Sequence, residues 1–272
     1  MPMFDTQGIS LYYELHGTRG KPAVMLISGL GGTGASWNAQ LERFAKDHFV
    51  ILPDQRGTGK TTRAPDGYSI PQLATDMASL LRLLDMGPAH VVGSSTGGVI
   101  GQLMALEHPD VVRSLVLGSS WGKPDAWMLR EFELRRKLLA EADMHTVYTC
   151  YALFLFSPRY QRAHPERVAA WIARCASAMP ERDIALARTD MIMAHDELAR
   201  LGQIDKPTLV LCGNQDACTP PQLSEELAQA IRGAEYVALP GGHLVHDENP
   251  VEYFETVSAF LARHGSDSIG AA

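Results

Sequence analysis

Residues 91–99 read VVGSSTGGV, an apolar run that ends at a glycine, presents two serines and continues as a helical pattern. This is the G-x-S-x-G pattern, in which a strand turns into a helix within about two residues and leaves the central hydroxyl, here that of Ser95, exposed. Glycine is needed at Gly93 and Gly97 because a Cβ there would meet the backbone of so sharp a turn. Ser94 is expected to face the packing beside the turn. The pattern alone is weak evidence, so its surroundings decide.

Strand-like and helix-like segments alternate on both sides of this turn. Apolar runs typical of strands buried on both faces occur at residues 22–28, 49–52, 90–92, 114–117, 207–212 and 236–239. Helical patterns occur at residues 36–46, 68–84, 98–108, 221–231 and 250–263. This alternation predicts an α/β fold with a mostly parallel central sheet flanked by helices. Residues 2–16 alternate apolar and polar around Gln7 and Gly8, which predicts a hairpin at a sheet edge.

The alternation stops between residues 121 and 201, where the sequence is helical in pattern, rich in Arg, Ala, Met and aromatic residues, and without a strand-like run. We predict that residues 1–120 and 202–264 form the α/β core and that residues 121–201 are an inserted helical cap. Open α/β sheets bind ligands at their carboxyl edge, which is where we expect the cap to lie. Residues 265–272 are small and polar, which predicts a disordered tail.

Charge and composition argue against several classes of partner. The net charge of −7 gives no basic surface for nucleic acid or an anionic membrane. No apolar run approaches a membrane span and the first residues lack a signal-peptide pattern, so we expect a cytoplasmic protein. The four cysteines form no C-x-x-C pair and no metal-ligand spacing, so we expect idle thiols and no metal; the alternative for Cys218, beside a candidate site loop, is a thiol sensitive to oxidation. The sequence leaves the oligomeric state open.

A serine hydroxyl reacts at neutral pH only when a base takes its proton and a carboxylate orients that base. On a strand-turn-helix site the acid and the histidine follow later strands, in the order Ser, Asp, His. Asp216 follows the apolar run 207–212 and His243 follows the run 236–239. Both are therefore expected at the sheet edge that carries Ser95, which predicts a Ser95, His243 and Asp216 triad.

Other residues compete for the roles of base and acid. His246 lies three residues after His243, but it falls where the last helix approaches, whereas Gly241 and Gly242 give His243 a tight loop. An acid after the run 114–117 is the alternative to Asp216, yet no carboxylate occurs there before Asp125. We therefore favour His243 and Asp216.

The negative oxygen formed during acyl transfer needs backbone N–H donors. One is expected from Thr96, the residue after the nucleophile, and one from the loop after an early strand. Residues 29–34 read GLGGTG, and Leu30 is our candidate there, with Gly31 as the alternative. The loop lacks the Gly-Lys-Ser/Thr ending of a phosphate-binding P-loop, so we expect no nucleotide and no other cofactor.

The predicted cap offers side chains with two interpretations. Its large apolar residues either line an acyl pocket or form the core of the cap, and we favour core for most of them: Trp121, Trp127, Met128, Phe132, Phe154, Phe156 and Met191. Its cations either bind a substrate carboxylate or form a solvated helix face, which we favour: Lys123, Arg130, Arg135 and Arg136.

Several short segments carry a resemblance to a known family. They are Ser28-Gly29-Leu30 with Ser36-Trp37, Asp54-Gln55-Arg56-Gly57-Thr58-Gly59, residues 93–98, Gly213-Asn214-Gln215-Asp216, and Gly242-His243 with Glu248 and Pro250. With them the sequence resembles the α/β-hydrolase family over nearly its whole length. The resemblance implies the α/β-hydrolase fold, with Ser95 as nucleophile, His243 as base and Asp216 as orienting acid. It also implies that Asp54 and Arg56 brace loops and take no part in the chemistry.

Finer features of the resemblance bear on the substrate. Most relatives carry His-Gly at Ser28-Gly29, and a serine is commoner at Lys60. Residues 216–221 resemble the corresponding loop of 3-oxoadipate enol-lactonases, and residues 153–158 with Gly241-Gly242-His243 are similar to aminoacrylate hydrolases. Dehalogenases and epoxide hydrolases of this family carry aspartate at the turn, so the serine implies an acyl substrate.

These observations together predict a cofactor-free serine hydrolase acting on a small-molecule acyl substrate. We expect it to cleave a small carboxylic ester or lactone through an acyl-enzyme. Two alternatives keep the same triad: a hydrolase-like receptor for a small molecule, which would show at most near-stoichiometric cleavage, and a cofactor-free perhydrolase, which would show peroxide-dependent halogenation in acetate.

Overall fold

The computed structural model describes residues 2–178 and 181–265. Within these residues eight strands form one sheet in the order β1-β2-β4-β3-β5-β6-β7-β8. They are β1 (Met3–Thr6), β2 (Ile9–His16), β3 (Ala23–Ile27), β4 (Phe49–Pro53), β5 (Ala89–Ser94), β6 (Val112–Gly118), β7 (Thr208–Gly213) and β8 (Glu235–Leu239). β1 and β2 form the predicted edge hairpin; β2 also runs antiparallel to β4, and every other neighbouring pair is parallel. The predicted mostly parallel sheet is confirmed.

Helices cover both faces of this sheet. They are α1 (Asn38–Asp47), α2 (Ile70–Leu84), α3 (Thr96–Glu107), α4 (Ala126–Glu141), α5 (Met144–Leu155), α6 (Pro158–Ala163), α7 (Pro165–Ala178), α8 (Arg182–Met193), α9 (Pro221–Ala230), α10 (Val245–Glu248) and α11 (Pro250–Arg263). Side chains alternate along β3, so Val24 and Leu26 share an apolar cluster with residues of α1 and α11. Met25 and Ile27 share the opposite cluster with residues of α2, α3 and α9. The apolar runs in the sequence are thus strands buried on both faces.

The segment between β6 and β7 contributes α4 to α8, and the described residues within 119–207 include no strand. Three of these helices begin at a capping side chain, because Asp125, Asp143 and Ser157 each accept a hydrogen bond from the N–H three residues further on. That residues 121–201 form a cap of their own stays a prediction. The predicted tail, apart from Gly265, lies outside the described residues. No helix in the described ranges is long and apolar enough to cross a membrane.

Two buried histidines away from the candidate site predict how stability depends on pH. Burial lowers the pKa of His90 and of His195 from 6.5 to about 4. The unfolded chain therefore binds these protons at a higher pH than the folded chain does, so stability falls as the pH drops from 6.5 toward 4. Each histidine contributes up to about 3 kcal/mol to this loss.

The measurement is the free energy of unfolding by urea at pH 7.0, 6.0 and 5.0. In the His90→Asn variant the amide stays neutral, so the decrease with falling pH should be smaller than in the wild type. A wild-type free energy of unfolding that is equal at pH 7.0, 6.0 and 5.0 would contradict the prediction.

Candidate active site

Ser95 lies on the turn between β5 and α3, at the carboxyl edge of the sheet. Its φ and ψ angles are 56° and −121°, a region that residues other than glycine rarely occupy. The N–H of Ser95 donates a 2.7 Å hydrogen bond to the carbonyl oxygen of Gly118 at the end of β6. The strained backbone is thereby fixed, and the side chain is partly exposed while that of Ser94 is buried.

The glycines around Ser95 permit a close approach of three backbone segments. A Cβ on Gly93 would lie 2.2 Å from the carbonyl oxygen of Gly97. A Cβ on Gly97 would lie 2.1 Å from the carbonyl oxygen of Ile27 at the end of β3. Both distances are far below van der Waals contact, so any larger residue at these positions would push β3, β5 and α3 apart.

Asp216 and His243 meet at the same edge. Asp216 follows β7, His243 follows β8, and Nδ1 of His243 lies 2.9 Å from Oδ2 of Asp216. Both residues are buried. Burial alone would lower the pKa of His243, but the adjacent Asp216 carboxylate raises it well above 6.5. The carboxylate thus fixes the ring orientation and makes the imidazole more basic.

Cys218 and Thr219, which follow Asp216 in the same loop, hold its carboxylate in place. Oδ1 accepts hydrogen bonds of 2.9 Å from the N–H groups of both Cys218 and Thr219. The hydroxyl of Thr219 lies 2.9 Å from Oδ2 and 3.1 Å from Nδ1 of His243. Sequence reasoning missed Thr219, although an aspartate followed by a threonine three residues later is a recognisable pattern for such a turn.

The end of β6 connects the Ser95 turn with the Asp216 loop. Gly118 accepts the hydrogen bond from Ser95, and the carbonyl oxygen of the next residue, Ser119, lies 3.0 Å from the Thr219 hydroxyl. Among the described residues, no hydrogen bond joins the Ser95 hydroxyl to His243. The structure therefore brings Asp216 and His243 into contact and puts Ser95 on the same edge, with the serine contact open, as is common before substrate binds.

The loop that contains Leu30 passes close to Ser95. A Cβ on Gly29 would lie 3.2 Å from Cβ and 3.7 Å from Oγ of Ser95. Thr96 is the first residue of α3, so its N–H has no partner within the helix and lies at the positive end of the helix dipole. Gly29, the residue before Leu30, and the first residue of α3 thus both lie beside the serine, where an oxyanion would need donors.

Ser28 stands where relatives in the α/β-hydrolase family commonly carry a histidine. Its side chain forms hydrogen bonds within the same loop. Its hydroxyl donates a 2.7 Å hydrogen bond to the carbonyl oxygen of Thr33 and also contacts the Ser36 hydroxyl. The amide of Gln55 donates to the carbonyl oxygen of Ser28 at 2.5 Å. Ser28 therefore holds the start of this loop against its later residues, Thr33 and Ser36.

Asp54 and Arg56 have structural partners, as the resemblance implied. Asp54 accepts hydrogen bonds of 2.9 Å from the N–H groups of Gly34 and Lys60. Arg56 donates two hydrogen bonds of 2.9 Å to the buried carboxylate of Asp76. Asp54 thereby ties the loop after β3 to the loop after β4.

The loop that carries His243 is attached to the helical segment between β6 and β7. The N–H of Ser157 donates to one carboxylate oxygen of Glu248 at 2.7 Å, and its hydroxyl donates to the other at 2.6 Å. The N–H of Leu244 also donates to the carbonyl oxygen of Leu155 at 3.2 Å. These bonds join residues about 90 positions apart, which is why local sequence patterns did not indicate them. His246 points elsewhere and packs 4.9 Å from the Trp37 ring.

The four candidate cations named from the sequence divide into two groups: Arg130 is exposed, as are Lys123 and Arg136, whereas Arg135 is buried. Lys123 and Arg136 are exposed and form ion pairs with Asp196 and Asp190. The favoured interpretation of all four cations as a solvated face is wrong for Arg135, which is only 4% exposed. A charged partner and several aromatic rings replace water around it, as described below. Of the aromatic and methionine side chains expected in the core, Trp127 is an exception, at 49% exposed.

The described residues include no group of three or more His, Cys, Asp or Glu side chains suited to hold a metal ion. The arrangement offers a partly exposed serine, a basic imidazole held by a carboxylate, and backbone N–H groups near the serine. These are the parts that acyl transfer requires.

Comparison with known proteins identifies the family of this chain. A sequence profile of the alpha/beta hydrolase fold matches residues 22–250. A protein of Variovorax paradoxus named "Putative carbamate hydrolase RutD" is 35% identical over 264 residues, which cover 96% of this chain and 99% of the relative. The crystal structure of a hydrolase from Pseudomonas aeruginosa has a TM-score of 0.86 and 30% identity, covering 96% of this chain and 97% of that one. The enol-lactonase from Burkholderia xenovorans has a TM-score of 0.86 and 28% identity, covering 96% and 100%. The chain therefore belongs to the α/β-hydrolase family, and it is a hydrolase.

Proposed function

We propose that this hydrolase cleaves a small carboxylic ester or lactone through a triad of Ser95, His243 and Asp216. The observation that carries the proposal is the 2.9 Å contact between buried His243 and Asp216, at the sheet edge where Ser95 stands on its strained turn. In a serine hydrolase a carboxylate that fixes the imidazole tautomer leaves the other ring nitrogen free to take the serine proton.

The first half of the reaction forms an acyl-enzyme. Nε2 of His243 accepts the proton of the Ser95 hydroxyl while Oγ attacks the carbonyl carbon of the substrate. The carbonyl oxygen becomes an oxyanion, which the N–H groups of Leu30 and Thr96 stabilise. When the tetrahedral intermediate collapses, the bond to the leaving alcohol breaks and the imidazolium donates its proton to that oxygen.

The second half releases the acid. His243 takes a proton from water, and the resulting hydroxide attacks the acyl carbon of the ester formed on Ser95. The same backbone N–H groups bind the second oxyanion. The ester bond to Ser95 then breaks, and the imidazolium returns its proton to Oγ. In a lactone the leaving alcohol stays tethered to the acyl group throughout, so deacylation releases a single hydroxy or enol acid.

The names of the relatives support an acyl substrate and widen its range. One solved structure with this fold is called an enol-lactonase and the curated relatives are called putative carbamate hydrolases. Esters, lactones and carbamates share an electrophilic carbonyl carbon bound to a heteroatom leaving group, so the same attack by Ser95 serves each of them.

A substrate panel tests the proposal. Short-chain aryl esters, lactones, thioesters, amides and carbamates are supplied in large excess, and the product formed per chain is counted. We expect many turnovers on at least one ester or lactone, with an initial burst of alcohol where deacylation is slow. At most one equivalent of product per chain would contradict the proposal and favour a receptor, and activity that depends on peroxide would favour a perhydrolase.

A further inference from the structure

Helix α4 buries an ion pair beside the candidate active site. Glu131 and Arg135 lie one helical turn apart, each is 4% exposed, and the guanidinium contacts the carboxylate. Besides the guanidinium, the carboxylate interacts with the thiol of Cys218, and Nε of Arg135 has no hydrogen-bond partner among the described residues. Burying two charges costs more than their attraction returns unless the geometry is favourable, so a pair that served packing alone would gain nothing over apolar side chains of similar volume.

The surroundings of Arg135 keep it charged. Its guanidinium carbon lies 4.5 Å from the ring centre of Tyr151, 4.9 Å from that of Phe132 and 5.8 Å from that of Phe154. Burial alone would lower the pKa of Arg135, but its neighbours, the Glu131 carboxylate among them, raise it above its usual value. A permanent positive charge therefore sits inside the protein at this point.

This charge lies one side chain away from His243. Nη2 of Arg135 is 3.4 Å from Sγ of Cys218. The thiol of Cys218 interacts in turn with His243, and its backbone N–H binds Asp216. A cation so close opposes the formation of an imidazolium on His243, and the proposed reaction requires that imidazolium in each half.

The negative charge of the Glu131 carboxylate offsets the positive charge of the Arg135 guanidinium. Burial raises the pKa of Glu131 to about 6, and Arg135 and His243 hold it below what burial alone would give. The carboxylate is thus ionised above about pH 6, where it attracts both the guanidinium and a protonated His243.

The other titratable groups facing these side chains are neutral near pH 7. Burial raises the pKa of the Cys218 and Cys150 thiols, and it raises the pKa of Tyr151 to about 12. Burial lowers the pKa of His246 on α10, which packs against the Trp37 ring. The remaining charges are those of Asp216, Glu131, Arg135 and, when protonated, His243. With His243 protonated, this group carries no net charge.

We propose that Glu131 and Arg135 are positioning residues for hydrolysis at this site, and that Glu131 neutralises the buried guanidinium so that His243 can hold the serine proton. The inference rests on the proposed function, because it gives the pair a task only if His243 is the base. It assigns the pair an effect on the protonation of His243 that a purely structural ion pair does not have.

The test is the pH profile of kcat/KM, measured on the substrate that the panel identifies. Glu131→Gln removes the compensating charge and leaves Arg135, so the imidazolium is destabilised. The acid limb of the profile should move to lower pH by about one unit, and the plateau should fall by about tenfold. The control is Glu133→Gln, which changes an exposed carboxylate on the same helix and should leave the profile in place.

A second change separates the proposal from simple loss of packing. Glu131→Gln combined with Arg135→Met removes both charges, so the protonated triad is again neutral and the acid limb should return to within about 0.3 units of the wild type. Arg135→Met alone raises the pKa of Glu131, which then stays neutral near pH 7, so its acid limb should coincide with that of the double variant. These two variants avoid an unpaired buried charge and provide the test if Glu131→Gln does not fold.

Two results would overturn the inference. One is an acid limb that stays in place in Glu131→Gln, and the other is a limb that moves down in the double variant or in Arg135→Met. The proposed function is tested separately, by turnover in the wild type and by its loss in Ser95→Ala. Neither of these two measurements depends on α4.

Discussion

Replacing Ser95 with alanine should lower kcat by about 10⁴-fold or more on any ester that the wild type turns over. The hydroxyl is the attacking atom of the proposed mechanism, so without it only substrate binding and the backbone donors at Leu30 and Thr96 remain. The fold should persist, because alanine and serine experience the same strain at a φ of 56°. The measurement is kcat for an aryl ester together with the thermal midpoint of both proteins.

Ser94 provides the matched control for this change. It is the adjacent serine, it is buried, and it belongs to β5. Ser94→Ala should keep kcat within a few fold of the wild type, because this hydroxyl faces packing. Activity retained in Ser95→Ala and lost in Ser94→Ala would move the nucleophile by one residue and contradict our assignment.

Replacing Asp216 with asparagine should lower kcat by about 10³- to 10⁴-fold. Oδ1 accepts from two backbone N–H groups, so the amide oxygen will take that position and the NH₂ group will replace Oδ2. An N–H donor then faces Nδ1 of His243, which must become an acceptor. The proton moves to Nε2, and the imidazole can no longer accept the serine proton.

The readouts for Asp216→Asn are kcat and the thermal midpoint, with Asp205→Asn as control. Asp205 is an exposed carboxylate that precedes β7, at the end of the strand opposite to Asp216. The control should have wild-type kcat. A kcat for Asp216→Asn within tenfold of the wild type would show that His243 does not depend on this carboxylate.

Most of the fold follows from local sequence patterns. Strands such as β3 and β7 are apolar runs that are too short for a helix. Helix α11 begins at Pro250 and ends at Arg263, and its apolar spacing and terminal residues predict these bounds. The antiparallel edge follows from Gln7 and Gly8, whose φ angles of 46° and 78° match a tight hairpin turn. Each of these features depends on neighbours within about a dozen residues.

Contacts between distant segments could not be predicted in the same way. The burial of Arg135 depends on rings from two helices and on Cys218, 83 positions away. The bonds between Ser157 and Glu248 span 91 positions. A cation or a carboxylate on a helix usually faces water, and only the folded arrangement shows which of them has exchanged water for a protein partner.

The sequence predicted the placement of the candidate triad only in part. The order of Ser95, Asp216 and His243 along the chain, each after a strand, indicated one edge of the sheet. The structure adds the 2.9 Å contact between Asp216 and His243 and the backbone hydrogen bonds that hold Asp216. The Thr219 hydroxyl also reaches the carbonyl oxygen of Ser119, 100 positions away, and that contact does not follow from the local pattern after Asp216.

The most direct test of the central claim is covalent labelling with a fluorophosphonate, followed by peptide mapping of the adduct. The reagent forms a stable bond only with a serine that an adjacent base activates. We expect one adduct per chain, located on Ser95, formed faster as His243 loses its proton with rising pH, and absent from Ser95→Ala. An adduct on another residue, or no adduct on a protein that turns over esters, would contradict the assignment of Ser95 as the nucleophile.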